Sequence, residues 1–288
     1  ARGIPFVKKA RIWAIGIYEG SAPFHFVPVS TVCNPVLSAE DVTDVSAQFI
    51  ADPFMVHESG TWYMFFEVMN VRTHQGDIGL ATSRDALHWT YKQIVLDEPF
   101  HLSYPCVFKW GSEYYMIPES HEAYSVRLYK AINFPTKWCL VKSLLRGAYL
   151  DSTIFHYDGK WWLFTYSPGD RAFRLYYSQG LLGPWREHFK SPILVRDMNI
   201  TRPGGRIVAF DGRIIRYTQD DDPTYGNQVR AFEITKLTAT EYEEREAEES
   251  PVLKASGSGW NADGMHQIDP HRLSDGTWIA CVDGYRMR

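Results

Sequence analysis

Asp52-Pro53-Phe54-Met55-Val56, a Ser59-Gly60 turn, and then Thr61-Trp62-Tyr63-Met64-Phe65-Phe66-Glu67 decide the fold of this chain. Two apolar, aromatic-rich runs flank a tight glycine turn, which is the pattern of a β-hairpin. The pattern returns as Tyr104-Pro105-Cys106-Val107-Phe108, Gly111-Ser112 and Glu113-Tyr114-Tyr115-Met116-Ile117-Pro118-Glu119. It returns again as Asp151-Ser152-Thr153-Ile154-Phe155, Asp158-Gly159 and Lys160-Trp161-Trp162-Leu163-Phe164-Thr165-Tyr166. A fourth copy is Gly205-Arg206-Ile207-Val208-Ala209-Phe210, Asp211-Gly212 and Arg213-Ile214-Ile215-Arg216-Tyr217-Thr218-Gln219. The fifth is Asp269-Pro270-His271-Arg272-Leu273, Asp275-Gly276 and Thr277-Trp278-Ile279-Ala280-Cys281-Val282-Asp283. A repeat of roughly fifty residues made of strands points to propeller blades rather than a helical solenoid.

A second motif follows the hairpins. It reads Ile78-Gly79-Leu80-Ala81-Thr82-Ser83 before Trp89, Val126-Arg127-Leu128-Tyr129-Lys130-Ala131 before Trp138, and Phe173-Arg174-Leu175-Tyr176-Tyr177-Ser178 before Trp185. Val229-Arg230-Ala231-Phe232-Glu233-Ile234 is a weaker copy. These predict the third strand of each blade, with a fourth after the Trp. The last hairpin has no such follower, but Ile15-Gly16-Ile17-Tyr18-Glu19-Gly20-Ser21 with Phe24 and Phe26 supplies one from the other end of the chain. The expectation is therefore an all-β fold, a five-bladed β-propeller over residues 1–288 with N-terminal strands closing the last blade. Residues 1–40 form the outer strands of blade five, 48–100 blade one, 101–146 blade two, 147–196 blade three, 197–255 blade four and 256–288 the inner strands of blade five.

Composition narrows the function. The 288 residues carry 30 Lys and Arg against 34 Asp and Glu, a net charge of −4, so nothing electrostatic favours nucleic acid or an anionic membrane. No apolar run reaches the ~18–20 residues of a membrane span. Residues 1–9 lack the apolar stretch of a signal peptide, which leaves both cytoplasm and export open. Aromatics reach 15%, a content that suits strands and sugar stacking alike. Cys33, Cys106, Cys139 and Cys281 make no zinc-type pair, and three of them sit in apolar strand patterns. Asn199-Ile200-Thr201 is a glycosylation sequon, relevant only in a secreted eukaryotic protein. The acidic stretch 241–249 reads as a solvated face, and Asp220-Asp221-Asp222 as a polar loop without EF-hand spacing.

In a propeller the first strand of each blade lines the central channel, and the second strand ends at the mouth where the first begins. Asp52, Tyr104, Asp151, Arg202 and Asp269 open first strands or precede them; Glu67, Glu119, Tyr166, Gln219 and Asp283 end second strands. All should converge at one face, with His266 beside them. Asp158, Asp211 and Asp275 fall in the Gly turns at the opposite face. Crowded carboxylates suit glycosidic-bond chemistry, where one group stays protonated and another ionised. Trp260, Tyr104 and His101 could form a sugar-stacking wall.

The stretches Ala51-Asp52-Pro53, Gly60-Thr61-Trp62-Tyr63-Met64-Phe65-Phe66 and Gly79-Leu80-Ala81-Thr82-Ser83-Arg84-Asp85-Ala86-Leu87-His88-Trp89 resemble glycoside hydrolase family 43. They also resemble its five-bladed relatives, the invertases, levansucrases, arabinanases and mannoside phosphorylases. More narrowly, residues 15–21, Asn34-Pro35-Val36-Leu37 and Asp41-Val42-Thr43-Asp44 with Ala51-Asp52-Pro53-Phe54-Met55 are similar to the domain preceding the transferase domain of plant glucosamine inositolphosphorylceramide transferases and their bacterial relatives. The first resemblance implies Asp52 as general base or nucleophile and Asp151 as the group that tunes and orients the acid. The acid itself is a Glu at the opening of blade four, where this chain has Thr201-Arg202-Pro203-Gly204-Gly205. Glu119, Glu67 and Asp269 are the available substitutes, and Glu119 is the expected acid.

The expected function is thus a glycoside hydrolase acting on a terminal or small sugar unit. Asp52, Glu119 and Asp151 would be catalytic, and Glu67, Tyr104, Tyr166, Arg202, Trp260, His266 and Asp269 would bind substrate. Two alternatives stand beside it: a non-catalytic carbohydrate-binding propeller serving a glycosyltransferase, and a phosphorylase or enzyme on anionic sugars with Arg202 and His266 holding the anion. No organic cofactor is required; the resemblance implies structural calcium in the central channel. A carbohydrate is the expected partner, and a glycosyltransferase domain is the further one that the narrower resemblance implies.

Overall fold

The structure is a computed structural model that describes residues 10–288. The first part of the expected outer segment of blade five, residues 1–9, lies outside the described residues. Five antiparallel sheets make five blades. Blade one is Ala47–Glu58, Thr61–Asn70, Gln75–Ser83 and Thr90–Leu96; blade two is Ser103–Trp110, Glu113–Glu119, Ser125–Asn133 and Lys137–Arg146. In blade three, Leu150–Tyr157, Lys160–Ser167 and Ala172–Ser178 are followed by two short outer pieces, Arg186–Glu187 and Leu194–Val195. In blade four, Arg202–Pro203 and Val208–Phe210 both pair with Arg213–Asp220, which is followed by Gln228–Leu237 and the outer pieces Tyr242–Glu246 and Leu253–Lys254.

Blade five joins the two ends of the chain. Ile268–Arg272 and Trp278–Met287 form its inner pair, and Arg11–Ala22 and His25–Pro28 complete it. The closing ladder runs unbroken from Arg11 opposite Met287 to Gly20 opposite Trp278. Inner strands are covered on both faces by neighbouring blades, so they read as continuous apolar runs such as Met64-Phe65-Phe66, all buried. Outer strands such as Thr90–Leu96 are mostly exposed or half-buried and read as polar. At the far face, Ser59-Gly60, Asp158-Gly159 and Asp211-Gly212 have paired positive φ angles (50 and 73°, 49 and 69°, 49 and 75°), as two-residue hairpin turns require.

The mouth is built by a repeated irregularity. In blade one, Ala51 pairs with Glu67 and Phe54 with Phe65, so the first strand holds one extra residue. Blade two repeats this between Ser103 and Cys106, and blade three between Leu150 and Thr153. The residues at these β-bulges are Asp52, Tyr104 and Asp151, with φ of 55, 44 and 49°. A side chain at positive φ is strained, and a bulge re-aims it out of the alternating pattern.

Candidate active site

The bulges bring Asp52 and Asp151 to one opening, where Glu67 and Glu119 end the second strands of blades one and two. All four are buried, and each is tied to a neighbour. Asp283 on blade five accepts from the Asp52 backbone N–H at 2.9 Å, and Asp52 in turn accepts from the Tyr104 N–H at 3.2 Å. Glu119 accepts from the Asp151 N–H at 3.4 Å, and Asp151 accepts from the Arg202 guanidinium and from Gln219 Nε2 at 2.8 Å. The acids therefore clip adjacent blades together: five to one, one to two, two to three and three to four.

Their burial sets their chemistry. Loss of water pushes the Asp52 carboxyl up to about 7, with His266 and Arg202 pulling down and Asp283 and Asp151 pushing up. Burial likewise raises Glu119 to about 7, against the hydrogen bond from His121 at 2.8 Å. Glu67 is raised well above the usual carboxylate range by burial and then by the charges of Asp52, Glu119, Asp283 and Asp151. Its neighbour His101 receives the Gly76 N–H on Nδ1 at 2.9 Å, which leaves Nε2 as the protonated nitrogen of the neutral ring, 3.5 Å from Glu67. Burial lowers the His101 pKa, in keeping with that neutral form.

His266 is buried and donates Nδ1–H to Asp283 at 2.8 Å, while Nε2 stands 3.5 Å from Asp52. Burial alone would lower its pKa; Asp283 and Asp52 outweigh it and raise it to about 9, so the ring is a cation at neutral pH. Trp13 lies against it at 4.1 Å between ring centroids, and Tyr225 meets it edge-on at 5.2 Å. Tyr166 closes the blade-three side, near the charges of Arg202 and Asp221.

Asp52, His266 and Asp283 cluster closely enough to suggest a metal. They do not fit one, because Asp283 already accepts four N–H bonds, from Asp52, His266 (backbone and ring) and Gln267. The channel below does not fit the expected calcium either. Arg206 lies in it, donating to the carbonyls of Met55 and Val107 at 3.0 and 2.9 Å and to Asp269 Oδ1 at 2.6 Å. A guanidinium thus takes the oxygens that a calcium ion would need.

Three expected substrate contacts fall elsewhere. Asp269 pairs with Cys281, two residues before Asp283, so it lies at the level of Phe54 rather than Asp52. Blade five lacks the bulge, and the Asp-Pro dipeptide shared with blade one suggested a register two residues too high. Asp269 is committed to Arg206, His271 and the Met55 N–H. Tyr104 is fully buried, its hydroxyl bonded to Thr153 at 2.7 Å and to Gly205, so it offers no face to a sugar. Trp260 lines a separate cleft between blades five and one, with Asn34, Gln48 and Arg286, where none of the mouth carboxylates reaches. Its six-membered ring fits a notch made by Gly16 and Gly284, whose Cβ atoms would stand 2.6 and 3.0 Å from it. Conversely, Trp13, Tyr225 and Arg206 were not singled out by the hairpin alignment. Trp13 and Tyr225 lie outside the hairpins, and Arg206 reads as an ordinary strand residue.

The geometry can be set beside known proteins. Residues 8–285 match the family described as glucosamine inositolphosphorylceramide transferase 1, N-terminal. The chain belongs to this family. Two relatives named glucosamine inositolphosphorylceramide transferase 1, from Oryza sativa subsp. japonica and Arabidopsis thaliana, are each 38% identical over 96% of this chain. The family member spans only 40% and 39% of their lengths. Among solved structures it is similar to a β-1,2-mannobiose phosphorylase from Listeria innocua (TM-score 0.67, 13% identity, covering 93% of this chain and 96% of that one). It is also similar to a thermostable family-43 glycoside hydrolase (0.61, 14%, 89% and 92%). At such identities these likenesses show the five-bladed fold and nothing finer.

Proposed function

We propose that this propeller cleaves a glycosidic bond of a terminal or small sugar unit at its mouth. Asp52 is the base or nucleophile, Glu119 the acid, and Asp151 the residue that orients Glu119 through its backbone N–H. The observation that carries the reading is the crowding of four buried carboxyl groups, Asp52, Glu67, Glu119 and Asp151, around two cations, Arg202 and His266. Such a set cannot ionise completely near neutral pH, so a proton donor and a carboxylate coexist within it. The neighbouring His266 favours the ionised form of Asp52, while burial favours the protonated forms of Glu119 and Glu67. Arg202 occupies the place where the resemblance puts an acid, which hands that role to Glu119.

The test is release of reducing sugar from a glycan panel. Asp52→Asn and Glu119→Gln should each lower the rate by about 100-fold or more. A second reading, a sugar-binding module for a transferase, draws on the blade-clipping bonds made by these carboxylates and on relatives more than twice as long. Calorimetric sugar binding with no turnover by the wild type would select it. A rate proportional to inorganic phosphate would mark phosphorolysis instead.

A further inference from the structure

Glu119 has a neighbour that also faces water. It ends its strand with a side chain only 5% exposed, and the chain turns at once into the short turn His121–Ala123. That turn is fixed from several sides. The Ala123 and Tyr124 N–H groups donate to the carbonyls of Ser120 and His121 at 3.1 and 2.8 Å, and Ser120 Oγ donates to the Ser125 carbonyl at 2.8 Å. Glu122 accepts the His101 N–H at 2.8 Å, which ties the turn to the segment entering blade two. The His121 ring is thereby brought back to the end of its own strand, with Nδ1 2.8 Å from Glu119 Oε1. Its side chain is 35% exposed, and its Nε2 makes no hydrogen bond among the described residues.

The two oxygens of Glu119 are not equivalent. Oε1 has the imidazole at 2.8 Å, whereas Oε2 has only the Asp151 N–H at 3.4 Å, a long and weak bond. The titratable groups facing the ring are Glu119 and Glu122 on either side of it in the chain, Asp151 from blade three, and His101 at 6.5 Å between ring centroids. The bond to Glu119, with the charges of Glu119, Glu122 and Asp151, outweighs burial and raises the His121 pKa. Arg202, beside Asp151, acts on Glu119 from the far side. An imidazolium carries protons on both nitrogens, so Nδ1 is the donor and Oε1 the acceptor. The carboxyl then carries its own proton on Oε2.

We propose that His121 is the positioning residue of this acid: its Nδ1–H holds Glu119 Oε1 and leaves Oε2 as the oxygen that delivers the proton. The inference rests on the reading of Glu119 as the acid and adds the residue that governs it. In the transfer step the Oε2 proton passes to the glycosidic oxygen as the bond from that oxygen to the anomeric carbon breaks. The leaving group departs as an alcohol, and the anomeric carbon takes its new C–O bond on the Asp52 side. Glu119 is left as a carboxylate, which the charge-assisted bond from His121 stabilises. The proton released by the attacking water restores Glu119 through solvent.

The experiment follows the Glu119 carboxyl by NMR across pH, in protein labelled at the glutamate carboxyl carbon, with the signal assigned by its loss in Glu119→Gln. Reducing-sugar release from the glycan panel is measured over the same pH range. His121→Ala removes both donor and charge. Its Glu119 midpoint should rise by about one pH unit or more, the alkaline limb of the rate should move up with it, and the peak rate should fall by about tenfold or more. His121→Asn keeps a donor without the charge. Its peak rate should return to within about threefold of wild type while the Glu119 midpoint stays raised. A ring that only holds the turn would lower activity and leave the Glu119 midpoint where it was. A midpoint within about 0.3 unit of wild type in His121→Ala would therefore overturn the inference and leave the acid reading intact. So would an Asn variant as slow as the Ala variant. If the wild type cleaves no glycan of the panel, both readings fall. Matching thermal midpoints of wild type and the two variants exclude unfolding as the cause of a loss.

Discussion

Asp283→Asn tests how the mouth is held together. Asp283 Oδ2 accepts from the Asp52 N–H at 2.9 Å, and Oδ1 accepts from the His266 N–H, the His266 ring and the Gln267 N–H at 3.3, 2.8 and 3.0 Å. Asparagine keeps one acceptor oxygen and turns an NH2 group toward the remaining donor. One buried N–H is then unsatisfied, at about 1–3 kcal/mol, and the other bonds lose the benefit of a full charge. The combined loss is about 3–4 kcal/mol. At about 2 °C per kcal/mol, the lower end for a chain of this size, Tm should fall by about 6–8 °C. Scanning calorimetry reads the midpoint, and NMR of the imidazole reads His266, whose pKa should drop from about 9 toward the ordinary histidine value. Asp275→Asn, at an exposed turn on the opposite face, is the control and should change Tm by about 2 °C or less. An Asp283→Asn protein that melts within about 2 °C of wild type with an unshifted His266 would refute the claim that this carboxylate joins blade five to blade one.

Arg206→Leu removes the cation from the channel and leaves Asp269 buried without its main partner, at an expected cost of about 3–5 kcal/mol in urea unfolding. Gly205→Ala would put a Cβ 1.8 Å from the Ile268 carbonyl oxygen at φ 149°, and should abolish soluble folded protein. Gly60→Ala, at φ 73° with open space around it, should cost only about 1 kcal/mol in urea unfolding. Asp52 and Glu119 are raised from 3.8 and 4.5 to about 7, so the stability they give is complete below those unfolded values and is lost as pH rises through about 7. His266 is raised from 6.5 to about 9, so its contribution is complete below 6.5 and is lost through about 9. Denaturant midpoints should therefore decline from about pH 4 to 9, and Asp52→Asn should flatten the lower half of that decline.

The blades were legible because each hairpin carries its own turn chemistry and apolar run. Closure by residues 11–28 was legible because the last hairpin lacked a follower that the N-terminus supplied. The convergence of Asp52, Glu67, Glu119 and Asp151 followed from strand order alone. What sequence spacing does not encode is the bulge. One extra residue stands at Asp52, Tyr104 and Asp151 and none in blade five, where Asp269 lies at the level of Phe54. Nor does it encode which way a bulged side chain turns, so Tyr104 read as a wall residue although its hydroxyl reaches across to blades three and four. Trp13 and Tyr225 reach His266 through tertiary contacts between blade five and a blade-four loop, where no local pattern marks them. Arg206 has the sequence of a strand residue and the position of a channel ion.

A crystal structure of Asp52→Asn soaked with a sugar that the protein binds is the most direct measurement. The expected result is a ring seated between residues 52 and 119, its anomeric carbon within reach of both side chains. A sugar found only in the Trp260 cleft, or a mouth whose carboxylates stay bonded to their neighbouring blades with no room for a ring, would contradict it.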